Sequence, residues 1–159
     1  MDSLEGFDIH YATPKDMPEV KFAQGSDTIK AIHLEVENTK FDEMLEFTNL
    51  DEAFRNISTT LIRQHRSALK KMKYTSRTMY TSSKGPFVPK KYKRRFSIYV
   101  PPELYKSKGE ISTFGDKVIL ISTQTKNLCV IIRDKCIAET MKDLMNLAWT
   151  AVEQLKELK

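Results

Sequence analysis

The sequence predicts an α/β domain built on a mixed sheet of about six to seven strands with three main helices. Residues 18–80 alternate short apolar or β-branched runs with segments of helical period, in the order strand, helix, strand, helix, strand. Residues 109–132 hold further β-branched runs separated by short polar connectors. From Ile137 the apolar residues recur every three or four positions, the period of a helix packed on one side.

Taken in order, residues 1–17 are polar, contain Pro14 and show neither period, so they read as a linker or flexible arm in which Phe7, Ile9 and Tyr11 can pair as a short edge strand. Pro18 opens a strand over Val20 to Ala23 that stops at Gln24-Gly25. Ser26 or Asp27 is placed to accept hydrogen bonds from the first free amides of a helix running to Glu37, with Ile29, Ile32 and Val36 on its core face and His33 beside it. Met44 to Thr48 is the second strand. Asn49, with Glu52 three positions on, has the reciprocal capping pattern of a helix start. Leu50, Phe54, Ile57, Leu61, Leu69 and Met72 form that helix's apolar stripe, while Arg63, Arg66, Lys70, Lys71 and Lys73 crowd its C-terminal half, where cations meet the negative end of the macrodipole.

Tyr74 to Tyr80 is the third strand, and strands joined through helices are expected to run parallel in one sheet. Residues 81–91 break the pattern with Ser82-Ser83, Gly85-Pro86 and Pro89, which predicts a loop. Phe96 to Val100 is a further strand, closed by Pro101-Pro102. Ile111 to Phe114, Val118 to Ile121 and Leu128 to Ile132 then form an antiparallel meander through Gly115-Asp116 and residues 124–127. The closing helix presents Ile137, Met141, Leu144, Met145, Ala148, Val152 and Leu155 on one face. Leu147, Trp149, Ala151 and Leu158 lie off that stripe, so a second side is expected to be buried, with a homodimer partner as the preferred cover.

Several loose patterns in fixed order carry a resemblance. Phe-Gly-Asp-Lys-Val-Ile-Leu-Ile-Ser at 114–122, Val-Ile-Ile-Arg-Asp-Lys at 130–135, Ile-Ala-Glu-Thr at 137–140 and Leu-Ala-Trp at 147–149 resemble the end of the effector domain of TrmB-like transcriptional regulators. Pro-Glu-Val-Lys-Phe-Ala-Gln-Gly at 18–25 and Arg-Phe-Ser-Ile-Tyr-Val-Pro-Pro-Glu-Leu-Tyr at 95–105 extend it upstream. The resemblance implies a phospholipase D-like sheet over 18–159, a ligand-sensing and dimerisation role, and a winged-helix DNA-binding domain of which residues 1–17 are too few to be any part. The phosphodiesterases of that fold need a motif His-x-Lys-x-x-x-x-Asp. Set on this chain, Lys117 takes the Lys place, Gly115 the His place and Ser122 the Asp place, and none of His10, His33 and His65 is followed by a Lys two residues later. The fold is therefore expected without that chemistry, and Lys117 as the polar residue of a tight turn.

The chain's 159 residues fit one domain, and the hydrophobic fraction of 40% and charged fraction of 30% are ordinary for a globular protein. No apolar run approaches the ~20 residues of a membrane span, and no signal-peptide pattern opens the chain, so a cytoplasmic protein is expected. Cys129 and Cys136 have no metal or disulfide spacing, and no phosphate loop, dinucleotide fingerprint or Gly-flanked nucleophilic Ser occurs, so no cofactor, metal or catalytic set is expected. The net charge of +5 permits attraction to polyanions. It concentrates in Lys84, Lys90, Lys91, Lys93, Arg94 and Arg95, which with interleaved Tyr92 make the alternative reading a nucleic-acid or anion-binding segment over 70–95. A ligand pocket, on the effector-domain reading, is expected beyond the carboxyl ends of the parallel strands, with Gln24, Asn49 and Ser82 as candidate contacts.

Overall fold

The computed structural model describes residues 17–56, 73–87, 93–124 and 127–157, with helical backbone also at Thr60, Arg63 and Ser67. In chain order the elements are β1 (Glu19–Ala23), α1 (Asp27–Glu37), β2 (Glu43–Asn49), α2 (Leu50–Asn56), β3 (Thr75–Thr81), β4 (Arg95–Tyr99), β5 (Gly109–Phe114), β6 (Lys117–Ser122), β7 (Leu128–Arg133) and α3 (Lys135–Glu157). One sheet of seven strands runs β1-β7-β6-β5-β2-β3-β4. The mixed α/β sheet with its meander and closing helix is thus the fold the sequence predicts. Phe7, Ile9 and Tyr11 of the arm, and the Ile57, Leu61, Leu69 and Met72 positions of the long second helix, lie outside the described residues.

β5, β6 and β7 are antiparallel neighbours, and β2, β3 and β4 are parallel. An antiparallel ladder between β2 and β5 joins the two halves. The first strand departs from the simplest expectation. β1 keeps the direction of β2 but pairs antiparallel with β7 at the far edge, Val20 opposite Ile132 and Phe22 opposite Val130. The locally connected meander fills the middle of the sheet. The segment 38–42 after α1 supplies the sideways reach that carries the chain over it.

Each face has its own core. α1 lays Ala31, Ile32 and Val36 on Met44, Phe114, Ile119, Cys129 and Ile131, with Phe41 and Tyr74 closing the end. On the opposite face α3 sets Met141, Met145, Ala148, Trp149 and Val152 on Leu45, Phe47, Met79, Ile98 and Ile111. The start of α1 differs from expectation. Ser26 occupies the cap position without a side-chain cap bond, and Thr28 is buried, its hydroxyl donating to the Asn127 carbonyl at 2.6 Å. Asp27 instead sits in the first turn, paired with Lys30.

The helix α3 is rotated from the expected stripe. Asp134 caps it, its carboxylate accepting the Ile137 N–H at 2.8 Å and its carbonyl the Ala138 N–H at 3.0 Å. That entry turns Ala138 inward, where it is buried and its carbonyl accepts the Thr113 hydroxyl at 3.4 Å. Ile137, Leu144 and Leu155, expected in the core, are 39%, 56% and 46% exposed as a result. Trp149, expected off the stripe, turns inward instead and lies over the Arg77 guanidinium at 5.4 Å. Arg77 also donates to Glu43 at 2.8 Å and to Asn146 at 2.5 Å, tying α3 to β2 and β3. Burial pushes the Glu43 carboxyl up, and the bond from Arg77 with the attraction of Arg77 and Lys142 outweighs it, so the group stays below its ordinary range.

Candidate functional site

Pleating puts Val20, Phe22, Leu120, Val130 and Ile132 on the sheet face that α3 packs against. α3 crosses that face from β6 and β5 to β2 and β4, setting Met145 and Val152 in the core, and leaves the β1 and β7 edge open. There Phe22 is 70% and Val20 is 44% exposed, beside half-buried Leu120, Val130 and Ile132. A hollow of about 280 Å³, lined by Ile111, Leu120, Leu128 and Val130 with Ser122 at its rim, opens between them. One flank of α3 adds exposed Ile137, Leu144 and Leu155. Scattered exposed apolar residues are ordinary, but a run of them on one sheet edge and one helix is the signature of an interaction surface. Of the three expected pairing residues, Leu147 is exposed on the side of α3 turned away from the sheet, Trp149 is half-buried within the domain, and Leu158 lies outside the described residues.

The candidate ligand contacts divide. Asn49 and Ser82 meet at the carboxyl ends of β2 and β3, but both are engaged in local structure. The Asn49 carbonyl oxygen accepts the N–H groups of Asp51 and Glu52 at 3.1 and 3.3 Å, so it caps α2 as its spacing predicted, and its amide donates to the Ser107 carbonyl at 3.1 Å. Ser82 donates to Asp51 at 3.2 Å and accepts the Lys84 N–H. The Ser83 N–H donates to the same carboxylate at 2.6 Å, and this backbone bond in the first place holds the Asp51 carboxyl below its ordinary range. Gln24 follows β1, four strands away from β2, so the structure does not bring it to the other two.

The positions that stand in the phosphodiesterase motif are also accounted for. Gly115 heads the two-residue turn between β5 and β6 at φ +55, and a Cβ added there would lie 2.8 Å from Thr39 Cγ2. Lys117, expected in the turn, is the first residue of β6 and is buried. Its ammonium donates to the Thr39 hydroxyl at 2.7 Å and to Asp116 at 3.1 Å, with Glu35 at 3.8 Å. Lys21 and Arg133 complete the network by pairing with Glu19, Glu35 and Asp116. The Lys117 charge is therefore balanced inside the protein, and Ser122 lies at the other end of β6, about 17 Å away by strand rise.

Of the basic segment, Lys84, Lys93 and Arg94 are exposed, and Arg95 is half-buried at the start of β4. Arg94 donates to the Lys73 carbonyl at 2.5 Å. Lys90 and Lys91 lie outside the described residues.

One cluster escaped sequence reading. Glu46 on β2 and Glu110 on β5 point to the α1 face of adjoining strands, Glu46 directly opposite Ser112. Thr78 and Ser76 donate to the same Glu46 oxygen at 2.8 and 3.3 Å. Glu110 is held by the Thr48 hydroxyl, while its Oε1 is buried with no hydrogen-bond partner. Arg95, at the start of β4, attracts the Glu46 carboxylate. Burial raises both carboxyls, and the Glu46 charge adds to the shift that brings Glu110 to about 7. The one available signal was place: Glu46 sits in a strand whose neighbours Met44, Leu45 and Phe47 pack into the cores on both faces.

No protein-family model matches the chain, and no curated protein matches it in sequence. Several solved structures share its fold, two of them as follows. One is of TrmBL2, described as an archaeal chromatin protein that shows a novel mode of DNA binding; it superposes with a TM-score of 0.57 at 12% identity over 86% of this chain. The match takes in 54% of the TrmBL2 chain, so this chain spans about half of that protein's length. The other is NucT from Helicobacter pylori, with a TM-score of 0.57 at 8% identity over 82% of this chain and 94% of that one. Identities this low establish likeness of fold. To that extent the relation to a TrmB-like protein read from the sequence holds. No helix among the described residues is long and apolar enough to cross a membrane.

Proposed function

We propose that the chain is a non-catalytic, cytoplasmic effector domain of a TrmB-like transcriptional regulator, which pairs with a second copy of itself and responds to a small molecule. The observation that carries this reading is the open apolar half of the α3 face, with Phe22 at 70% exposure beside the hollow over β6 and β7. A second copy suits it because the surface is close to neutral. α3 carries Lys135 and Lys142 against Glu139, Asp143 and Glu153, and β1 carries Glu19 against Lys21, so two chains of net charge +5 meet where repulsion is least. Gly115 in the His place and the internally balanced Lys117 favour a fold kept for assembly rather than for phosphodiester cleavage.

The exposed Lys84, Lys93 and Arg94, together with the DNA binding described for TrmBL2, favour a second reading as an anion- or nucleic-acid-binding module. A thermal-shift screen of sugars, nucleotides and phosphorylated metabolites, run beside a short-duplex titration at low and high salt, separates the two. The effector-domain reading expects one small molecule to raise the unfolding midpoint and the duplex to leave it unchanged. Stabilisation by duplex alone, falling steeply with salt and lost when Lys84, Lys93 and Arg94 are neutralised, would replace it with the second reading.

A further inference from the structure

We propose that the end of the sheet where β3 and β4 begin binds a single strand of nucleic acid, its phosphates on Lys73, Lys93 and Arg94 and one base on Phe96. The inference rests on the second, anion-binding reading and is independent of pairing. No Asp or Glu stands between Glu52 and Glu103, yet half of the chain's 26 Lys and Arg fall in that stretch, which supplies β3 and β4. The two strands are neighbours at one edge of the sheet, so that edge carries cations and no carboxylate of its own. Because β3 and β4 run parallel, their entrances lie side by side. Lys73 precedes one entrance, Lys93 and Arg94 the other. The Arg94 guanidinium donates to the Lys73 carbonyl at 2.5 Å, and the Ser76 N–H donates to the Arg94 carbonyl at 2.8 Å. Two basic runs that β3 and its loop separate in sequence are thereby fastened together.

The surroundings sort which cations can meet a ligand. Arg77 is held by Glu43 and Asn146, and Arg95 attracts Glu46. Lys73, Lys93 and Arg94 are exposed and pair with no carboxylate among the described residues. A hollow of about 520 Å³ beside Lys73 sets Lys40 against Glu37 and Asp42, so the positive potential falls away on that side and the track turns toward β4. Lys84 follows β3 at the opposite end of the strand, about 20 Å off by strand rise, and lies outside the track. Phe96 stands at the other limit, two residues after Arg94 on the outermost strand. It alternates in step with Ile98 of the α3-side core and is 51% exposed. A cationic track beside an exposed ring is how proteins hold single strands, since charge follows the backbone and every base offers a π face to the ring. A duplex keeps its bases stacked on one another and gives the ring no partner, so Phe96 selects the single strand.

The test is the fluorescence anisotropy of a labelled thymidylate strand of about 12 nucleotides, titrated with the full chain beside a duplex of the same length and an abasic strand with the same number of phosphates. The thymidylate strand is expected to bind several-fold tighter than either comparison, with log K falling against log salt at a slope of about −2 for three phosphate contacts. Phe96→Ala should weaken binding of the thymidylate strand about tenfold and leave the abasic strand unchanged, and Phe96→Tyr should keep the parent affinity. Lys73→Ala, Lys93→Ala and Arg94→Ala should each weaken both strands and flatten the slope by about 0.7, whereas Lys84→Ala changes neither. Equal affinity for duplex and single strand, an equal loss in Lys84→Ala, or parent-like binding of the thymidylate strand by Phe96→Ala would overturn the proposal and leave the anion-binding reading standing. Absence of salt-dependent binding to all three nucleic acids would remove both.

Discussion

Gly115→His is expected to destabilise the chain by about 2–4 kcal/mol and to bring no phosphodiesterase turnover. Gly115 sits at φ +55, a backbone region that costs an L-residue about 1–2 kcal/mol. The added Cβ meets Thr39 Cγ2 at 2.8 Å, and Thr39 is not free to retreat, because its hydroxyl donates to the Glu35 carbonyl and accepts from Lys117. Strain therefore spreads from the turn into the ion-pair network of Glu35, Asp116, Lys117 and Arg133. The urea midpoint is the readout, with Gly115→Ala alongside to separate backbone strain from the bulk of the imidazole. A Gly115→His chain as stable as the parent, or one that cleaves a generic phosphodiester, would show that the motif position is still open to its chemistry.

Glu110→Gln is expected to stabilise the chain by about 2 kcal/mol above pH 7, an advantage that fades as the pH falls toward 4.5. The folded state raises the Glu110 carboxyl from 4.5 to about 7, so the folded protein holds this proton more tightly than the unfolded chain. The stability that comes from the held proton is fully present below the unfolded value. It is lost as the pH rises through the folded one. Glutamine imitates the protonated form at every pH and offers an N–H toward Glu46. Denaturant melts at several pH values test this; equal pH dependence in parent and variant would mean that Glu110 is already balanced by a partner.

Much of the fold was legible because it is written locally. The meander from Gly109 to Arg133 needs only β-branched runs and two short connectors, and the capping spacing of Asn49 and Glu52 marked the start of α2. Long-range placement was not legible in the same way. Nothing in Val20 to Ala23 says that its partner is β7 rather than β2, since strand direction follows from the crossover while neighbourhood follows from which strands zip first. The helical wheel of α3 placed too many residues inward, because the phase is set by the Asp134 cap and by the Thr113 hydroxyl on the Ala138 carbonyl. The same rotation drew Trp149 in and left Ile137, Leu144 and Leu155 outside on one flank, while Leu147 stands on the side turned away from the sheet. Glu46 and Glu110 were invisible because they are distant in sequence and only the β2 and β5 register brings them together.

Pairing through the open half of the α3 face is the claim on which the functional reading rests, and the mass of the chain in solution tests it most directly. Light scattering on the eluting protein, for the parent and for Phe22→Asp and Leu144→Asp, needs no knowledge of the effector. The parent is expected at twice the 18.4 kDa of one chain, with both variants shifted to a single-chain mass and unchanged in secondary structure. A parent that elutes at the mass of one chain at every concentration, or variants that remain paired, would contradict the account.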